Sequence, residues 1–336
     1  MKKFISLALT LCLIFSATGC NLNGTGEQIA EKNGIYPFGI TDQAGREVII
    51  EKKPEKIVSG YYISTSALIA LRLEDKIVGV EAKADKRPIY KLSAPEIIEL
   101  PSVGTAKEFD IEGCVALEPD LVILPLKLKN AAESLEDLGI TVLLVDPENQ
   151  TKLEDMINII SDVTETKDSA QKLISFISDQ KDLLSNIKGE KPTVYLASNS
   201  SFLSTCGKEM YQSDMIALAG GKSVSDEIDD TYWVDISYEQ FLLWDPDYII
   251  LASDALYSVE DILNDKTLSD CRAVKNGKVF KMPGNIEAWD SPLPAGILGS
   301  VWLASVLHGD EMPEDKSEKI IKSFYEEFYG FAYVEE

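Results

Sequence analysis

Two acidic segments of similar sequence are the most specific polar feature of this chain. EGCVALEPDLVIL begins at Glu112, and EQFLLWDPDYIIL begins at Glu239. In both, a glutamate precedes a Pro-Asp pair by seven residues, and a four-residue apolar run follows. A glutamate in the first turn of a helix interacts favourably with the helix dipole, and a proline ends the helix before the next strand. The repeat predicts two lobes of similar build, in which Glu112 and Glu239 could be helix-start carboxylates and nothing more.

The single histidine, His308, limits the chemistry that the chain can perform. It excludes a metal site with two histidines, and a Ser-His-Asp triad could use only this residue. The sequence contains no Gly-rich phosphate loop, no Gly-x-Ser-x-Gly elbow and no metal-ligand spacing. His308 falls near the end of an apolar helical stretch, where we expect a surface residue favoured by the helix dipole. The sequence therefore predicts a protein that is not an enzyme and needs no cofactor.

The composition indicates an acidic globular protein. The chain has 336 residues, of which 45% are apolar and 26% charged, and its 56 Asp+Glu against 32 Lys+Arg give a net charge of −24. This length suffices for about two domains. The negative charge argues against binding to nucleic acid or directly to anionic lipid. We also expect a monomer.

Short β-branched runs alternate with helical stretches from residue 38 onward, which indicates parallel α/β units. Strands are predicted at Lys56–Ser59, Lys76–Val80, Leu121–Leu124, Thr141–Val145, Thr193–Ala197, Tyr248–Leu251 and Lys278–Lys281. Between the halves, apolar residues recur with helical spacing, so we expect one helix from about Lys167 to Ile187, ~30 Å long. The predicted fold is α/β, with a Rossmann-like N-terminal lobe at residues 37–150, a helical connector at 151–189 and a second such lobe at 190–336.

Residues 1–19 have the organisation of an export signal. Lys2 and Lys3 precede an apolar run of 12 residues and then the small residues Ser-Ala-Thr-Gly before Cys20. The run is too short for a membrane-spanning helix, which needs about 20 residues. Ending on Cys20, the segment resembles a bacterial lipoprotein lipobox, which implies cleavage after residue 19 and a diacylglycerol on the Cys20 sulfur. Ordinary secretion with a free Cys20 is the alternative.

The exported protein is therefore expected outside the cytoplasm, anchored to the bacterial cell membrane through lipidated Cys20. Loss of Lys2 and Lys3 leaves 30 basic against 56 acidic residues, a net charge of −26. Residues 20–36 are rich in Gly and Asn and are expected to be a flexible tether.

Three cysteines follow Cys20 in the chain. Cys114 lies in an apolar helical stretch and is expected to be a small buried residue. A disulfide between Cys206 and Cys271 is permitted outside the cytoplasm, but nothing in the sequence favours it.

Several segments resemble the class III substrate-binding proteins of ABC importers, the iron-siderophore, haem and cobalamin type. The resemblance is carried by DQAGREVIIEKKPEKIVSGYYISTSALIALRLEDKIVGVEA, by FDIEGCVALEPDLVIL and DISYEQFLLWDPDYIILAS, and by EAWDSPLPAGILGSVWLASVLHGDE. It implies a bilobed protein with a rigid backbone helix and a ligand cleft between the lobes. It also implies that one surface glutamate per lobe, here Glu112 and Glu239, docks onto arginines of the membrane permease. Bidentate carboxylate–guanidinium pairs of that kind fix register more than affinity.

The ligand of such a protein is expected beyond the carboxyl ends of the strands. Loops at those ends supply tyrosines and a lysine, while the family's ligand-contacting positions, ahead of the second glutamate and in AWDSP, supply tryptophans and an aspartate. The candidate ligand-binding residues are Tyr61, Tyr62, Lys107, Tyr211, Trp233, Trp289 and Asp290. For each tyrosine, packing in the core is the alternative.

The residue types in this set favour some ligands over others. Only four arginines occur, and none is assigned to a predicted cleft loop, whereas an anionic triscatecholate complex would be expected to meet an Arg or Lys cluster. Lys83, Lys107, Lys127 and Lys129 could supply such a cluster, with solvated surface lysines as the alternative. A bare transition-metal ion would need histidines with carboxylates, and haem would need a tyrosine as axial ligand. A corrinoid or a neutral hydroxamate siderophore fits best. The expected function is delivery of a metal chelate to an ABC importer; a chelatase-like enzyme and a ligand-sensing lipoprotein without transport are the alternatives.

Overall fold

The computed structural model describes residues 36–230 and 232–334. The predicted signal peptide, Cys20 and nearly all of the predicted tether lie outside the described residues. Within the described ranges, no helix has both the length and the apolar character needed to cross a membrane.

The described residues contain strands and α-helices in an alternating order. The strands are β1 (Phe38–Thr41), β2 (Glu47–Ile50), β3 (Ile57–Ser59), β4 (Ile77–Val80), β5 (Leu121–Pro125), β6 (Val142–Val145), β7 (Thr193–Ala197), β8 (Ser204–Cys206), β9 (Lys222–Ser223), β10 (Trp233–Asp235), β11 (Tyr248–Leu251) and β12 (Val279–Lys281). The helices are α1 (Tyr62–Ala70), α2 (Pro88–Ser93), α3 (Ile111–Ala116), α4 (Lys129–Asp137), α5 (Gln150–Thr164), α6 (Lys167–Ser185), α7 (Tyr211–Leu218), α8 (Tyr238–Trp244), α9 (Val259–Leu263), α10 (Arg272–Lys275), α11 (Ile297–Leu307) and α12 (Glu314–Phe324).

Each lobe is built on one sheet, and the two sheets have the same order of parallel strands. The N-terminal sheet runs β4-β3-β5-β6, all parallel. In the C-terminal sheet, β9, β7, β11 and β12 are parallel in that order, and antiparallel β8 and β10 extend it beside β7. The order second-first-third-fourth in both sheets confirms the predicted two-lobe α/β fold.

The core continues through both lobes. In β5, Leu121 and Ile123 point into a central cluster, while Val122 and Leu124 point into a separate cluster on the outer face. The alternation follows from the two-residue period of a strand, and both faces are apolar because helices cover both. Strands β7 and β11 alternate in the same way, and their inward residues belong to the same central cluster. The two sheets therefore share one core.

The connector contains two helices. α6 begins at Lys167, where the helical spacing predicts it, and its 19 residues make it ~28 Å long. α5 precedes α6 and packs against it, and Glu165 in the left-handed conformation separates them. The apolar positions of both helices join the central core.

The acidic repeat has the same local structure in both lobes. Glu118 and Asp245, the residues before the two prolines, both adopt positive φ and end helices α3 and α8. Asp120 then accepts hydrogen bonds from the backbone N–H groups of Lys56 and its neighbour ahead of β3. Asp247 accepts from the backbone and side chain of Thr193 at the start of β7. The aspartate of each Pro-Asp pair thus joins two adjacent strands of its sheet.

The structure agrees with the sequence expectation for Cys114 and disagrees with that for His308. Cys114 is buried as expected, and Cys206 and Cys271 are both buried and free, so the permitted disulfide does not form. The expectation that His308 lies on the surface is wrong: its exposed fraction is 9%, and a ring nitrogen lies 3.2 Å from the Gly220 oxygen. α11 packs on α7, so the end of α11 meets the turn after α7 and is covered.

Candidate ligand-binding cleft

Loops that follow the parallel strands of the two lobes meet in two neighbouring cavities. The first, called here the Tyr61 cavity, has a volume of about 260 Å³. Its walls are Tyr61, Ala106, Pro125, Leu126, Lys127, Val145, Asp146 and Glu148 of the N-terminal lobe and Tyr232 of the C-terminal lobe. These N-terminal residues follow β3, β5 and β6 or lie in the loop after β4, as expected for a ligand site at the carboxyl edge of a parallel sheet.

The Tyr61 cavity has more carboxylates than cations. Lys127 Nζ lies 5.7 Å from the ring centre of Tyr232, which joins the two lobes across the cavity. Asp146 pairs with Lys152 at 2.7 Å between Oδ2 and Nζ. Burial and the nearby Asp146 raise the pKa of Glu148, and burial also raises the pKa of the Tyr61 phenol. The cavity thus offers an aromatic wall and a carboxylate that is partly desolvated.

The second cavity, called here the Tyr62 cavity, has a volume of about 160 Å³. Tyr62, Ser66, Lys86, Arg87, Pro88 and Ile89 line it from the N-terminal lobe, and Gly284, Ile286, Glu287, Ala288 and Leu293 line it from the C-terminal lobe. The rings of Tyr61 and Tyr62 meet edge to face with their centres 5.3 Å apart, so this pair separates the two cavities.

Arg87 is held on the N-terminal side of the Tyr62 cavity. Its guanidinium stacks 4.3 Å above the centre of the Tyr62 ring, and its Nε donates to Glu81 at 3.0 Å. Glu81 is buried and also accepts from the hydroxyls of Thr65 at 2.7 Å and Tyr90 at 2.9 Å. A buried carboxylate with three donors is well satisfied, and it fixes the orientation of the Arg87 guanidinium.

Glu287 faces the same cavity from the C-terminal lobe. Its exposed fraction is 8%, and Oε1 accepts from the Tyr325 hydroxyl at 3.1 Å. Its other oxygen, Oε2, is buried and has no hydrogen-bond partner in the described part of the chain. Burial raises the pKa of Glu287 to about 7, while Tyr325 and Arg87 act in the opposite direction. A buried, half-satisfied carboxylate is costly, which suggests a role other than stability.

The structure places the predicted contact residues in three environments. Tyr61 and Tyr62 are half-buried and line the two cavities. Lys107 is exposed beside the Tyr61 cavity, next to its wall residue Ala106, and Trp233 is 37% exposed beside Tyr232. Tyr61 and Tyr62 thus line the cavities, whereas Lys107 and Trp233 only adjoin wall residues in the sequence, and ligand contact by these four side chains stays a prediction.

Asp290 is buried in the C-terminal lobe next to the Tyr62 phenol. Its carboxylate accepts from the Ser253 hydroxyl at 2.9 Å and from the Ser253 backbone N–H at 3.2 Å. Burial raises the pKa of Asp290, and the hydrogen bonds from Ser253 act in the opposite direction. Asp290 therefore supports the cleft from beneath Tyr62.

Tyr211 and Trp289 are buried away from the two cavities in this structure. The Tyr211 hydroxyl donates to Gln150 at 3.3 Å, at the contact between the C-terminal lobe and the connector. The Trp289 indole N–H donates to the Tyr325 hydroxyl at 2.7 Å, and its ring lines a separate cavity of about 350 Å³ beside α11 and α12. Their assignment as ligand contacts stays a prediction.

Glu112 and Glu239 are exposed in the first turns of α3 and α8. The residue before α3, Asp110, bonds to Val103 near the carboxyl end of β4, and the residue before Ser237, Ile236, bonds to Leu203 near the carboxyl end of β7. Each glutamate thus stands at the cleft edge of its own lobe.

Two charged residues of the cleft, Arg87 and Glu148, were not singled out from the sequence. Arg87 follows β4 in a loop that the strand-end rule indicates, but no sequence pattern shows that its guanidinium stacks on Tyr62. Glu148 likewise follows β6. Within the described ranges, no group of three or more His, Cys, Asp or Glu side chains could hold a metal ion.

Comparisons with known proteins agree with this architecture. The profile of the family described as periplasmic binding protein matches residues 57–286. The chain is 26% identical to the molybdate-binding protein MolA of Haemophilus influenzae, covering 88% of this chain and 91% of MolA, and 27% identical to the ABC transporter substrate-binding lipoprotein YvrC of Bacillus subtilis, covering 87% and 94%. It is 23% identical to the petrobactin-binding protein YclQ of Bacillus subtilis, covering 83% and 90%.

Solved structures show the same fold. A periplasmic solute-binding protein from Veillonella parvula superimposes with a TM-score of 0.76 at 25% identity, covering 88% of this chain and 94% of that one. The molybdate-bound MolA of Haemophilus influenzae also gives a TM-score of 0.76 at 25% identity, covering 88% and 99%.

Proposed function

The chain belongs to the periplasmic binding protein family, the substrate-binding proteins of ABC importers, and on this premise we propose that it captures a neutral or cationic metal chelate outside the cytoplasm. The observation that carries the proposal is the cleft itself, in which a tyrosine pair faces both lobes and Lys127 is the one lining cation without a carboxylate partner in the described residues. Tyrosine rings bury a large area of a greasy or flat ligand with little loss of entropy. Carboxylates disfavour a polyanion at the same place.

The charges of the cleft support this choice of ligand. In the Tyr61 cavity, Asp146 is neutralised by Lys152, which leaves Glu148 opposite Lys127. In the Tyr62 cavity, Arg87 is neutralised by Glu81 and Lys86 by Asp85. Among the cations that line the two cavities, Lys127 alone lacks a carboxylate partner in the described residues, with exposed Lys107 beside it; a triscatecholate or citrate complex would need a larger cluster of unpaired Arg and Lys.

We assign direct ligand contact to Tyr61 and Tyr62, with Lys107 and Trp233 at the rim and Asp290 behind Tyr62. Hydroxamate siderophores and corrinoids both fit this set. Haem fits this set less well. Burial raises the pKa of both the Tyr61 and the Tyr62 phenol, whereas a tyrosine that ligates haem iron must be deprotonated.

Delivery to the permease is assigned to Glu112 and Glu239. Both are exposed, occupy equivalent positions in the two lobes and stand at the cleft edge. A permease that binds one glutamate of each lobe through arginine side chains would hold the cleft over the translocation path. The pairs would be charge-assisted and bidentate.

The lipid anchor is assigned to Cys20, which lies outside the described residues. Support comes from the sequence of residues 1–20 and from YvrC, a relative named as a lipoprotein. Replacing Cys20 with Ala should release the protein from membranes in a fractionation experiment. Retention of the Cys20→Ala protein in the membrane fraction would contradict the anchor without affecting the ligand assignment.

A small oxyanion is the second candidate ligand. Arg87 offers guanidinium N–H groups to the Tyr62 cavity, whose volume of about 160 Å³ would hold a tetrahedral anion, and the relative MolA is named as molybdate-binding. Against this stands Glu287 on the opposite wall. Calorimetric titration with molybdate and tungstate separates this candidate from a chelate binder.

Uptake of radiolabelled ligand tests the transport function. Cells that lack the protein should take up ⁵⁵Fe-hydroxamate or ⁵⁷Co-corrinoid poorly and should recover uptake when the protein is supplied. Binding without any effect on uptake would favour a ligand-sensing lipoprotein, and release of free metal from the chelate by the purified protein would favour a chelatase-like enzyme.

A further inference from the structure

The Tyr62 cavity contains an acceptor that nothing in the described part of the chain satisfies. Glu287 is more than nine-tenths buried, lines the cavity and has one oxygen, Oε2, without a hydrogen-bond partner, while Oε1 is fixed by Tyr325. An unsatisfied buried oxygen carries a desolvation cost. When Glu287 is ionised, a donor group of the ligand entering the cavity would remove that cost, so Oε2 is then a built acceptor for ligand.

The opposite wall of the cavity contains unused donors. Arg87 uses its Nε for Glu81, and its two terminal nitrogens have no hydrogen-bond partner in residues 36–230 or 232–334. Stacking on Tyr62 and the bond to Glu81 hold the guanidinium plane in place. The cavity therefore has donors on the N-terminal lobe and an acceptor on the C-terminal lobe.

The cavity admits a small substituent and not a whole chelate. Its volume is about 160 Å³. The wall is closely packed at Gly284, where an added Cβ would lie 2.5 Å from the Cβ of Ser253. Each chelate considered above is several times larger than this volume, so it would lie over the tyrosine pair with one arm inserted.

The pattern of donor and acceptor selects the chemistry of the arm. A carboxylate arm would meet Arg87 favourably but would be repelled by ionised Glu287, and an ammonium arm would have the opposite conflict. An amide carries a carbonyl acceptor and an N–H donor on adjacent atoms and satisfies both walls. Amides are present in the chains of hydroxamate siderophores and at the periphery of corrinoids.

We propose that the Tyr62 cavity is a specificity pocket for an amide arm of the chelate, whose carbonyl oxygen accepts from Arg87 and whose N–H donates to Oε2 of Glu287. The inference rests on the proposed chelate-binding function and deepens it. Because Arg87 and Glu287 belong to different lobes, the amide also bridges the lobes and stabilises the ligand-bound state.

The test compares matched variants and matched ligands. Affinities of cyanocobalamin and ferrioxamine B are measured by calorimetry for the wild-type protein, Glu287→Met, Glu287→Gln and Arg87→Met, with exposed Glu133→Gln on α4 as the control. Glu287→Met keeps a similar volume but removes both oxygens, including the Oε1 that accepts from Tyr325, so circular dichroism must verify that this variant folds. We expect the chelate that binds to lose on the order of 10- to 100-fold in affinity in Glu287→Met and Arg87→Met, and nothing in Glu133→Gln.

A second measurement needs no variant. Cyanocobalamin is compared with its monocarboxylic derivatives, in which one peripheral amide is hydrolysed, and one of these derivatives should bind the wild-type protein at least tenfold more weakly. For ferrioxamine B, the comparison is a trihydroxamate without amide groups. Equal affinities within each ligand pair, or an unchanged affinity in Glu287→Met, would overturn the amide pocket and leave the chelate-binding function standing. If neither chelate binds the wild-type protein, the proposed function is contradicted and the amide pocket with it.

Discussion

Removal of the two docking carboxylates should abolish transport while leaving the folded protein and its ligand affinity unchanged. The substitutions are Glu112→Ala and Glu239→Ala, singly and together. Both side chains are exposed, and neither lines a ligand cavity. In the described residues Glu112 has no side-chain partner, and the interactions of Glu239 are with its own backbone and with Ser237, two residues earlier, so little structure depends on either.

The size of the effect follows from the contacts that each carboxylate would make on the permease. A hydrogen bond between charged partners contributes enough free energy to change an affinity by about 10- to 100-fold when it is lost. The two glutamates are on different lobes and share no partner, so their effects should multiply. We therefore expect ~10- to 100-fold weaker docking for each single substitution and, by multiplication, ~100- to 10,000-fold weaker docking for the double one.

The assay is ligand-dependent stimulation of ATP hydrolysis by the permease complex in proteoliposomes, measured against the concentration of binding protein. Matched controls are Glu133→Ala on α4 and Glu260→Ala in the first turn of α9, one exposed glutamate per lobe. The half-stimulating concentration should rise for the docking variants alone, and calorimetric ligand affinity should be equal in all five proteins. Normal stimulation by the double variant, or equal losses in the control variants, would refute the docking assignment.

Three further outcomes are expected. Burial raises the pKa of Glu287 to about 7 from an ordinary value near 4.5, so between these pH values the folded protein keeps a proton that the unfolded chain releases. The free energy of unfolding should therefore fall by ~3 kcal/mol between about pH 4.5 and 7. Urea unfolding at pH 5 and 8 should show this dependence in the wild type and not in Glu287→Gln. Gly284→Ala places a Cβ 2.5 Å from the Cβ of Ser253 and should cost about 1–3 kcal/mol of stability and lower ligand affinity. Gly309→Ala, whose Cβ would make an ordinary contact 3.5 Å from the Ser305 backbone oxygen, should change neither. Solution scattering curves with and without ligand should be nearly superimposable, because α6 and a core shared by both lobes resist hinge opening; a change as large as in a strand-hinged binding protein would contradict the rigid connector.

The elements that carry the fold were predictable from sequence because they are apolar on both faces. Strands such as Thr193–Ala197 and Tyr248–Leu251 are short continuous apolar runs, and α6 shows helical spacing over five turns. Strands β8 and β10 were missed, since Ser204–Cys206 and Trp233–Asp235 are three residues each and carry no periodic pattern. Their strand conformation depends on pairing with β7 and with each other.

The site was only partly predictable, for a different reason. The rule that ligands lie beyond strand ends identifies Tyr61 and Tyr62 because it uses local sequence alone. Arg87 and Glu287 belong to different lobes and line one cavity only because the lobes pack together. No local sequence pattern predicts that packing. Conversely, the aromatic character of Trp289 suits a cleft or a core equally well, and the structure buries it against Tyr325.

Ligand identity is the most direct test of the central claim. The mature protein should be incubated with ferrioxamine B, cyanocobalamin, haem, ferric citrate and a ferric triscatecholate in turn, and analysed by native mass spectrometry together with its absorbance spectrum. We predict a one-to-one complex with the hydroxamate or the corrinoid, with the unchanged spectrum of the intact chelate, and no complex with the anionic chelates. Preferential binding of ferric citrate or the triscatecholate would contradict the assignment of this cleft to a neutral or cationic chelate.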